Sequence, residues 1–279
     1  MREDVLVSAE ELLKMPQMPA PAILDVRWRL DQPDGQAAYV AGHIPGAVYV
    51  SLEDELSDHS RPGLGRHPLP SGADLQAAAR RWGLSNHRPV VVYDDWNRAG
   101  SSRAWWVLAS AGLDVRILNG GLAAWTAAGG ALETGQVTPE PGDVTISHPD
   151  LYRGALRTVT AEEVAHGAVS ALLDARAPER FRGEVEPVDP VAGHIPGARN
   201  LPSLALLDDD GTFRDTSAIA ALVADRSVTA SDVVGVYCGS GVTASVVLAA
   251  LSSIGIEAAL FPGSWSQWSA EAGRPVATG

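Results

Sequence analysis

The most restrictive feature of this chain is an internal duplication. The sequence AGHIPGA at positions 41–47 occurs again, unchanged, at positions 192–198. Four further pairs of matching segments follow the same order: 7–12 with 159–164, 23–27 with 172–176, 90–93 with 233–237, and 120–125 with 263–268. The repeat is too long for a solenoid, so it predicts two copies of one self-sufficient domain.

The duplication divides the chain into two domains joined by a linker. We predict domains at residues 1–134 and 157–279, because 279 residues suffice for about two domains that each bury a core. The stretch 135–156 between them contains glycine and proline and has no helical or strand period. We therefore predict that it is a linker.

Short apolar runs alternate with amphipathic stretches in both copies, which predicts alternating strands and helices. The predicted strands are 22–26, 90–93 and 115–118, then 171–174, 233–237 and 258–261. The predicted helices are 73–82, 102–111 and 122–128, then 160–166, 217–224 and 243–253. This alternation favours an α/β fold in which each domain is a parallel sheet flanked by helices.

Charge and cysteine content exclude several classes of function. The net charge of −13 argues against nucleic acid as a partner, because such binding depends on Lys and Arg that neutralise phosphates. The most apolar stretch, 245–261, is too interrupted by polar residues to span a membrane. No secretory signal is visible, so a cytoplasmic location is expected. The single cysteine, Cys238, allows neither an internal disulfide nor a cysteine-rich metal site.

Cys238 opens a glycine-rich loop between a predicted strand and a predicted helix. In α/β sheets this carboxyl end of a strand is where ligands bind. Gly239 and Gly241 allow the backbone to turn successive N–H groups toward one atom, and the helix start adds further donors. Such donors favour a thiolate and hold the charge of a persulfide. A lone cysteine is more often an inert apolar residue, but this loop favours the functional interpretation.

On these motifs the chain resembles the rhodanese family of sulfurtransferases, in its tandem two-domain form. The motifs are both copies of GHIPGA, Asp-Ala-Arg at 174–176, the glycine and tryptophan segment at 263–268, and CGSGVT at 238–243. The last is similar to the loop of 3-mercaptopyruvate sulfurtransferases, whereas thiosulfate enzymes of the family carry Arg and Lys where Gly239 and Ser240 stand. The resemblance implies a sulfurtransferase that takes sulfur from 3-mercaptopyruvate and carries it as a Cys238 persulfide.

The resemblance also implies which cations bind the substrate. Arg180 matches the arginine that holds the anionic part of the substrate, and Arg182 is the second choice. The mercaptopyruvate branch has another arginine a little downstream, where this chain has Val188, Asp189 and Pro190. Either a different cation such as Arg176 or Arg98 takes that place, or the substrate differs.

Ser240 is expected to relay a proton or to bond the substrate carbonyl. In the family branch this serine acts with a His and an Asp from the first domain. His43 matches the His, and Asp31 or Asp34 would be the Asp. A histidine repeated before Ile-Pro-Gly also fits a turn in which the ring bonds the backbone, which is the role we assign to His194.

The remaining candidates lie in the loop and in the first domain. Val242 and Thr243 complete the loop that would bind the persulfide, and Thr243 is expected to cap the following helix. Trp28 matches a family position in the cleft between the domains and is a candidate substrate contact. Asp94 occupies the position equivalent to Cys238, and a carboxylate cannot accept sulfur, so the first domain is expected to be catalytically silent.

The expected acceptor is cyanide, a small thiol or thioredoxin, and no metal or organic cofactor is implied. Two alternatives stay open: thiosulfate as the donor, and a non-enzymatic module that carries sulfur or binds a protein partner. A phosphatase of the same fold would need an arginine where Ala244 stands, because phosphoryl transfer needs a cation on the phosphate oxygens.

Overall fold

The computed structural model describes residues 2–15 and 20–279. Their first half contains a five-stranded parallel sheet with strand order β1-β5-β4-β2-β3. Its strands are β1 (Leu6–Val7), β2 (Ala22–Asp25), β3 (Val48–Tyr49), β4 (Val90–Tyr93) and β5 (Val115–Leu118). Its helices are α1 (Arg2–Val5), α2 (Ala9–Lys14), α3 (Gln36–Ala41), α4 (Leu52–Glu55), α5 (Gly72–Arg81), α6 (Ala99–Ser110) and α7 (Gly121–Ala127).

The second half repeats this arrangement with four described strands in the order β7-β6-β8-β9, again all parallel. They are β6 (Ala171–Asp174), β7 (Arg199–Asn200), β8 (Val234–Tyr237) and β9 (Ala258–Leu260). Thr158 makes a single parallel bridge to Leu260, at the place that β1 has in the first sheet. The helices are α8 (Ala161–Ala165), α9 (Pro178–Phe181), α10 (Thr216–Ala224), α11 (Ala244–Ser253) and α12 (Ser264–Trp268), with 3₁₀ turns at Leu151–Arg153 and Ser203–Leu206.

The predicted α/β fold with two duplicated parallel-sheet domains is confirmed. Every predicted strand agrees with an observed strand to within one residue at each end, and every predicted helix to within three. The prediction did not include β1, β3 and β7, because two residues are too few to show an alternating pattern. Both faces of the first sheet are covered, since Val90 and Val92 belong to one apolar cluster while Val91 and Tyr93 belong to another.

The duplication also extends to buried charges. Arg27 is paired with Asp25 at 2.8 Å in the first domain, and Arg176 is paired with Asp174 at 2.7 Å in the second. Each arginine also donates to the carbonyl of the glycine that precedes the histidine of the repeated motif. These contacts join the end of a strand to the repeated turn, so the copied sequence encodes a copied internal frame.

The two domains meet along α6 and α11, the helices that follow the two equivalent loops. Nearly every residue of both helices is buried. Residues of both sheets therefore share one large apolar cluster. The interface places the loop before α11 against segments of the first domain.

The predicted linker lies back across the first domain. Val144 and Leu151 are buried in the shared core, and the Val144 N–H donates to the Leu84 carbonyl at 3.1 Å. The domain limits at residues 134 and 157 stay predictions. Among the described residues, no helix is both long and apolar enough to cross a membrane.

Candidate functional site

Cys238 directly follows β8 and is 1% exposed. The start of α12 fixes its backbone: the Cys238 N–H donates to Ser264 Oγ at 3.2 Å, and the Trp265 N–H donates to the Cys238 carbonyl at 3.0 Å. The Ser266 N–H donates in the same way to the Gly239 carbonyl at 2.9 Å. The repeated glycine and tryptophan segment thus holds the cysteine loop in place.

The sulfur atom accepts a hydrogen bond from the loop itself. The Gly241 N–H lies 3.1 Å from Cys238 Sγ. Gly241 has φ +81°, and a Cβ at this position would lie 2.6 Å from the Pro262 carbonyl oxygen. Only glycine meets both conditions, because other residues pay for the left-handed conformation and need more room.

Ser240 belongs to a chain of three polar side chains that crosses the domain interface. Ser240 Oγ lies 2.7 Å from His67 Nδ1, and His67 Nε2 lies 3.0 Å from Glu53 Oε1. Ser240 and His67 are both buried. The second domain therefore supplies the serine, and the first domain supplies the histidine and the carboxylate.

The protonation state of this relay follows from its partners. The hydrogen bond with His67 lowers the pKa of Glu53 to about 2, so Glu53 is a carboxylate that can only accept. Burial lowers the pKa of His67, which keeps the imidazole neutral at pH 7. Its single proton therefore sits on Nε2 toward Glu53, and Nδ1 accepts from the Ser240 hydroxyl. This arrangement makes the serine oxygen more basic.

Trp28 supports the relay from the first domain. Its Nε1–H donates to Glu53 Oε1 at 2.6 Å, and its ring meets the His67 ring edge to face at 5.8 Å between centroids. His59 Nε2 lies 3.2 Å from the other Glu53 oxygen. The structure thus places Trp28 in the site as a support for Glu53; direct contact with a substrate stays a prediction.

The expected partners of Ser240 require correction, because His67 and Glu53 occupy the places expected for His43 and for Asp31 or Asp34. His43 Nδ1 instead bonds the Tyr39 carbonyl at 2.9 Å, and its ring stacks on Tyr39. Asp34 Oδ1 accepts from the Gln36 N–H at the start of α3, and both Asp31 and Asp34 are exposed.

The second copy of the motif behaves like the first. His194 Nδ1 bonds the Phe181 carbonyl at 2.7 Å, and its ring stacks on the Phe181 ring. The prediction that the His194 ring bonds the backbone is therefore confirmed, and the same description holds for His43.

Two guanidinium groups lie over Gly239. A Cβ at position 239 would be 3.0 Å from Arg66 Nη2 and 3.5 Å from Arg180 Nη1. Arg180, the predicted anchor, is thus beside the cysteine loop, and Arg66 joins it from the first domain. Arg182 lies elsewhere, in an exposed two-pronged ion pair with Glu184 at 2.7 and 2.9 Å.

Neither cation named as a substitute for the missing arginine lies free at the loop. Arg176 is buried and bonded to Asp174 and to the Gly193 carbonyl, so it is part of the internal frame. Arg98 is buried in the first domain, 2.8 Å from Asp94. Both have structural partners. The cation that lies at Gly239 in addition to Arg180 is Arg66.

Asp94 closes the equivalent loop of the first domain. Its carboxylate accepts from the Trp96 N–H, the Ser101 N–H and the Ser101 hydroxyl at 2.7 to 3.1 Å, and it pairs with Arg98. Asp94 is therefore a charge within this loop, and these contacts lie within its own domain.

Val242, a residue of the cysteine loop, is buried. Thr243 does occupy the position before α11, but its side chain makes no capping hydrogen bond, so the expected cap is wrong. Thr243 has helical backbone angles, whereas a capping side chain needs the extended conformation to reach back to the helix N–H groups.

Arg103 of α6 is a buried cation beneath the site. Its Nη2 donates to the carbonyls of His67 at 2.9 Å and Leu56 at 3.1 Å, and its Nη1 approaches the Gly241 carbonyl at 3.4 Å. Burial lowers its pKa to about 10. The Arg103 side chain therefore links the segment around His67 to the cysteine loop through hydrogen bonds to backbone carbonyls.

Sequence reasoning missed Glu53, Arg66, His67 and Arg103, although one signal was present. From Ala47 to the cap at Ser71 there are 24 positions (71 − 47), while from Ala198 to the equivalent cap at Asp215 there are 17 (215 − 198). The first copy therefore carries seven additional residues here, and His67 and Arg66 lie in this longer segment.

The pair of parallel-sheet domains brings together one buried thiol, a hydrogen-bonded chain of Ser240, His67 and Glu53, and two guanidinium groups, which are the groups that thiol-dependent transfer chemistry needs. The sequence model of the rhodanese-like domain matches residues 8–128 and 158–271. The chain is 62% identical over 280 residues to the "Putative thiosulfate sulfurtransferase SseB" of Mycobacterium tuberculosis, covering 100% of this chain and 98% of that protein.

Two further relatives agree. The "Probable 3-mercaptopyruvate sulfurtransferase" of Pseudomonas aeruginosa is 44% identical, with 98% of both chains covered. The crystal structure of SseA, a 3-mercaptopyruvate sulfotransferase from Escherichia coli, superposes with a TM-score of 0.81 at 34% identity and covers 94% of this chain and 98% of that one. The chain belongs to the rhodanese family, and it is a sulfurtransferase.

Among the described residues, no three His, Cys, Asp or Glu side chains are grouped so that they could hold a metal ion.

Proposed function

We propose that this enzyme transfers sulfur from 3-mercaptopyruvate to a thiophilic acceptor through a persulfide on Cys238. The observation that carries the proposal is the position of Cys238 Sγ, which accepts the Gly241 N–H while Ser240, two residues further on, connects to His67 and Glu53. A donor of this kind needs a thiolate to take the sulfur and a group to manage one proton.

In the first half-reaction the Cys238 thiolate attacks the donor sulfur. The S–S bond forms, the C–S bond breaks, and its electron pair stays on carbon as the enolate of pyruvate. Ser240 passes the proton of the Cys238 thiol to His67, where Glu53 stabilises the imidazolium. The same residues then return this proton to the enolate carbon. The products are pyruvate and the Cys238 persulfide.

In the second half-reaction an acceptor nucleophile attacks the outer sulfur. The S–S bond breaks and the Cys238 thiolate returns, held by the Gly241 N–H. Cyanide, a small thiol or thioredoxin can serve as this acceptor, and ping-pong kinetics follow from the covalent intermediate. Thioredoxin as a partner and a cytoplasmic location stay predictions.

Thiosulfate is the second candidate donor. Two guanidinium groups face Gly239, and a dianion benefits from such cations. The relative with 62% identity also bears the name of a thiosulfate sulfurtransferase. Against this candidate, thiosulfate needs no proton returned to carbon, so it leaves the buried relay without a task.

The test compares kcat/KM for 3-mercaptopyruvate and for thiosulfate with cyanide as the acceptor. We expect a preference of tenfold or more for mercaptopyruvate, equal to about 1.4 kcal/mol. The reverse preference would replace the donor and leave the persulfide mechanism intact. Cys238→Ser should abolish turnover; a wild-type protein with no turnover on either donor would favour the non-enzymatic sulfur-carrier module.

A further inference from the structure

A cavity of about 360 Å³ lies where the two domains meet, away from Cys238. Residues of α6 and α11 line it, together with residues 155–157 and the start of β9. Ser252, one of these residues, lies eight positions (252 − 244) after the start of α11, which is about 12 Å along the helix axis. Ala258 lines the cavity at the amino end of β9, whereas Cys238 follows the carboxyl end of β8. The cavity and the cysteine loop are therefore at opposite edges of the second sheet.

The lining of this cavity is mainly apolar. Trp105 and Trp106 contribute to it from α6, and Leu248 contributes from α11. Leu156 and Ile256 also line it and are only partly buried. A concave site with such side chains removes the apolar part of a small molecule from water. The cavity therefore has room for an aromatic ring or a branched aliphatic group.

The two tryptophans of the cavity differ from the other buried tryptophans in their hydrogen bonds. The indole N–H donates to an oxygen atom of the protein in Trp28, Trp82, Trp125, Trp265 and Trp268. Trp105 and Trp106 are 5% and 1% exposed, yet within the part of the chain that the structure describes their N–H groups have no acceptor. Buried indole N–H groups usually find one. Two residues of the cavity thus keep a donor for an oxygen atom that the protein does not supply.

Two charges of opposite sign stand at the same cavity. Arg157 and Glu257 both line it and are exposed, and neither has an ion pair among the described residues. The parallel bridge between Thr158 and Leu260 places them on neighbouring extended segments. In this register they are offset by two residues, or roughly 7 Å along the segments. One small molecule can therefore reach both charges.

We propose that this cavity binds an α-amino acid with an apolar side chain, at a site separate from that of sulfur transfer. The side chain lies against the tryptophans, the carboxylate binds Arg157 and an indole N–H, and the ammonium group binds Glu257. A carboxylic acid without the amino group would meet repulsion from Glu257, and an amine would leave Arg157 and the indole donors without an acceptor. Because α6 and α11 belong to different domains, a ligand bound here stabilises their contact.

Calorimetry with three related compounds tests the charge recognition. L-Phenylalanine, titrated into the full chain, should bind with a Kd of about 1 mM or lower. The compounds 3-phenylpropanoate and phenethylamine each lack one charged end and should bind about tenfold more weakly. In Glu257→Gln, L-phenylalanine should bind about tenfold more weakly, while 3-phenylpropanoate should bind at least as well as to the wild type. Glu140→Gln is the matched control: it removes an exposed carboxylate that has no ion pair among the described residues and does not line the cavity, so all three Kd values should stay unchanged.

A second variant separates this cavity from the sulfur-transfer site. Ser252→Phe fills the cavity, so it should weaken L-phenylalanine binding about tenfold or more and keep kcat/KM for 3-mercaptopyruvate within about twofold. Saturating pyruvate should leave the Kd for L-phenylalanine unchanged in the wild type. Absence of binding at about 10 mM L-phenylalanine, equal affinity for the three compounds, binding that survives Ser252→Phe, or competition by pyruvate would each overturn the proposal. If Ser252→Phe does not fold, Glu257→Gln decides, and an L-phenylalanine Kd unchanged in that variant refutes the site.

Discussion

Glu53→Gln removes one charge from the relay and keeps its shape. The carboxylate receives His67 Nε2–H and Trp28 Nε1–H, and His59 lies beside its second oxygen. The pKa of Glu53 falls from 4.5 to about 2, mainly through the bond with His67. At about 1.4 kcal/mol for each pH unit, this difference corresponds to about 3 kcal/mol of stability at neutral pH. The side chain is 28% exposed, so we expect a loss of about 2 to 3 kcal/mol.

The pH dependence has a definite sign. The pKa of Glu53 is lower in the folded protein than in the unfolded chain, so its contribution is complete above about pH 5 and is lost as the pH falls from 4.5 toward 2. Urea unfolding, followed by tryptophan fluorescence, measures the difference between wild type and Glu53→Gln. That difference should be largest at pH 7 and should shrink by roughly half near pH 3.

The matched control is Glu11→Gln, which removes an exposed partner of Arg116. A surface pair of this kind contributes less than about 1 kcal/mol, so the control should unfold close to the wild type. A loss below about 0.5 kcal/mol for Glu53→Gln at pH 7, or a difference that does not shrink on acidification, would show that His67 does not hold the carboxylate as the structure has it.

Three further substitutions test the loop and its supports. Gly241→Ala should lower the free energy of unfolding in urea by about 2 kcal/mol or more, because it adds left-handed strain of about 1–2 kcal/mol and a close contact with the Pro262 carbonyl. A variant as stable as the wild type would contradict this loop geometry. Arg103→Met should lower the free energy of unfolding by roughly 1–3 kcal/mol, because the buried carbonyls lose their donor, and it should slow alkylation of Cys238. Arg103→Lys should recover part of the stability and part of the alkylation rate. If both variants behave like the wild type, Arg103 does not support the loop. Ser240→Ala should lower kcat with mercaptopyruvate about a hundredfold and leave the thiosulfate rate nearly unaltered; equal losses with both donors would argue against proton relay.

The fold and the cysteine loop could be predicted because their signals are local. The strands around Cys238 are short apolar runs, and the repeated motif marks the same turn in both copies. The loop that begins at Cys238 combines a thiol, two glycines and a helix start within seven residues. Such patterns depend on neighbouring residues, so one sequence is enough to interpret them.

The partners of Ser240 could not be predicted in the same way. His43 and His67 lie in the same domain, but His67 reaches the serine across the domain interface, and no local sequence pattern marks that contact. The repeated motif favoured His43 as the partner. A residue that occurs in both copies, however, is one that the internal structure of each domain needs. The residue that serves the site lies in the longer segment that the second copy lacks. Arg66 escaped prediction for the same reason.

The two copies supply complementary parts of one site. The second provides the sulfur atom, the N–H that bonds it, Ser240 and Arg180, while the first provides Glu53, His67 and Arg66. Asp94 and its partners close the loop where the first copy would have held a second thiol. The first domain can therefore lack a sulfur acceptor and still be part of the site, because it holds His67 and Glu53, which Ser240 contacts across the interface. A substitution that weakens the packing of α6 on α11 should accordingly lower the rate of sulfur transfer before either sheet unfolds.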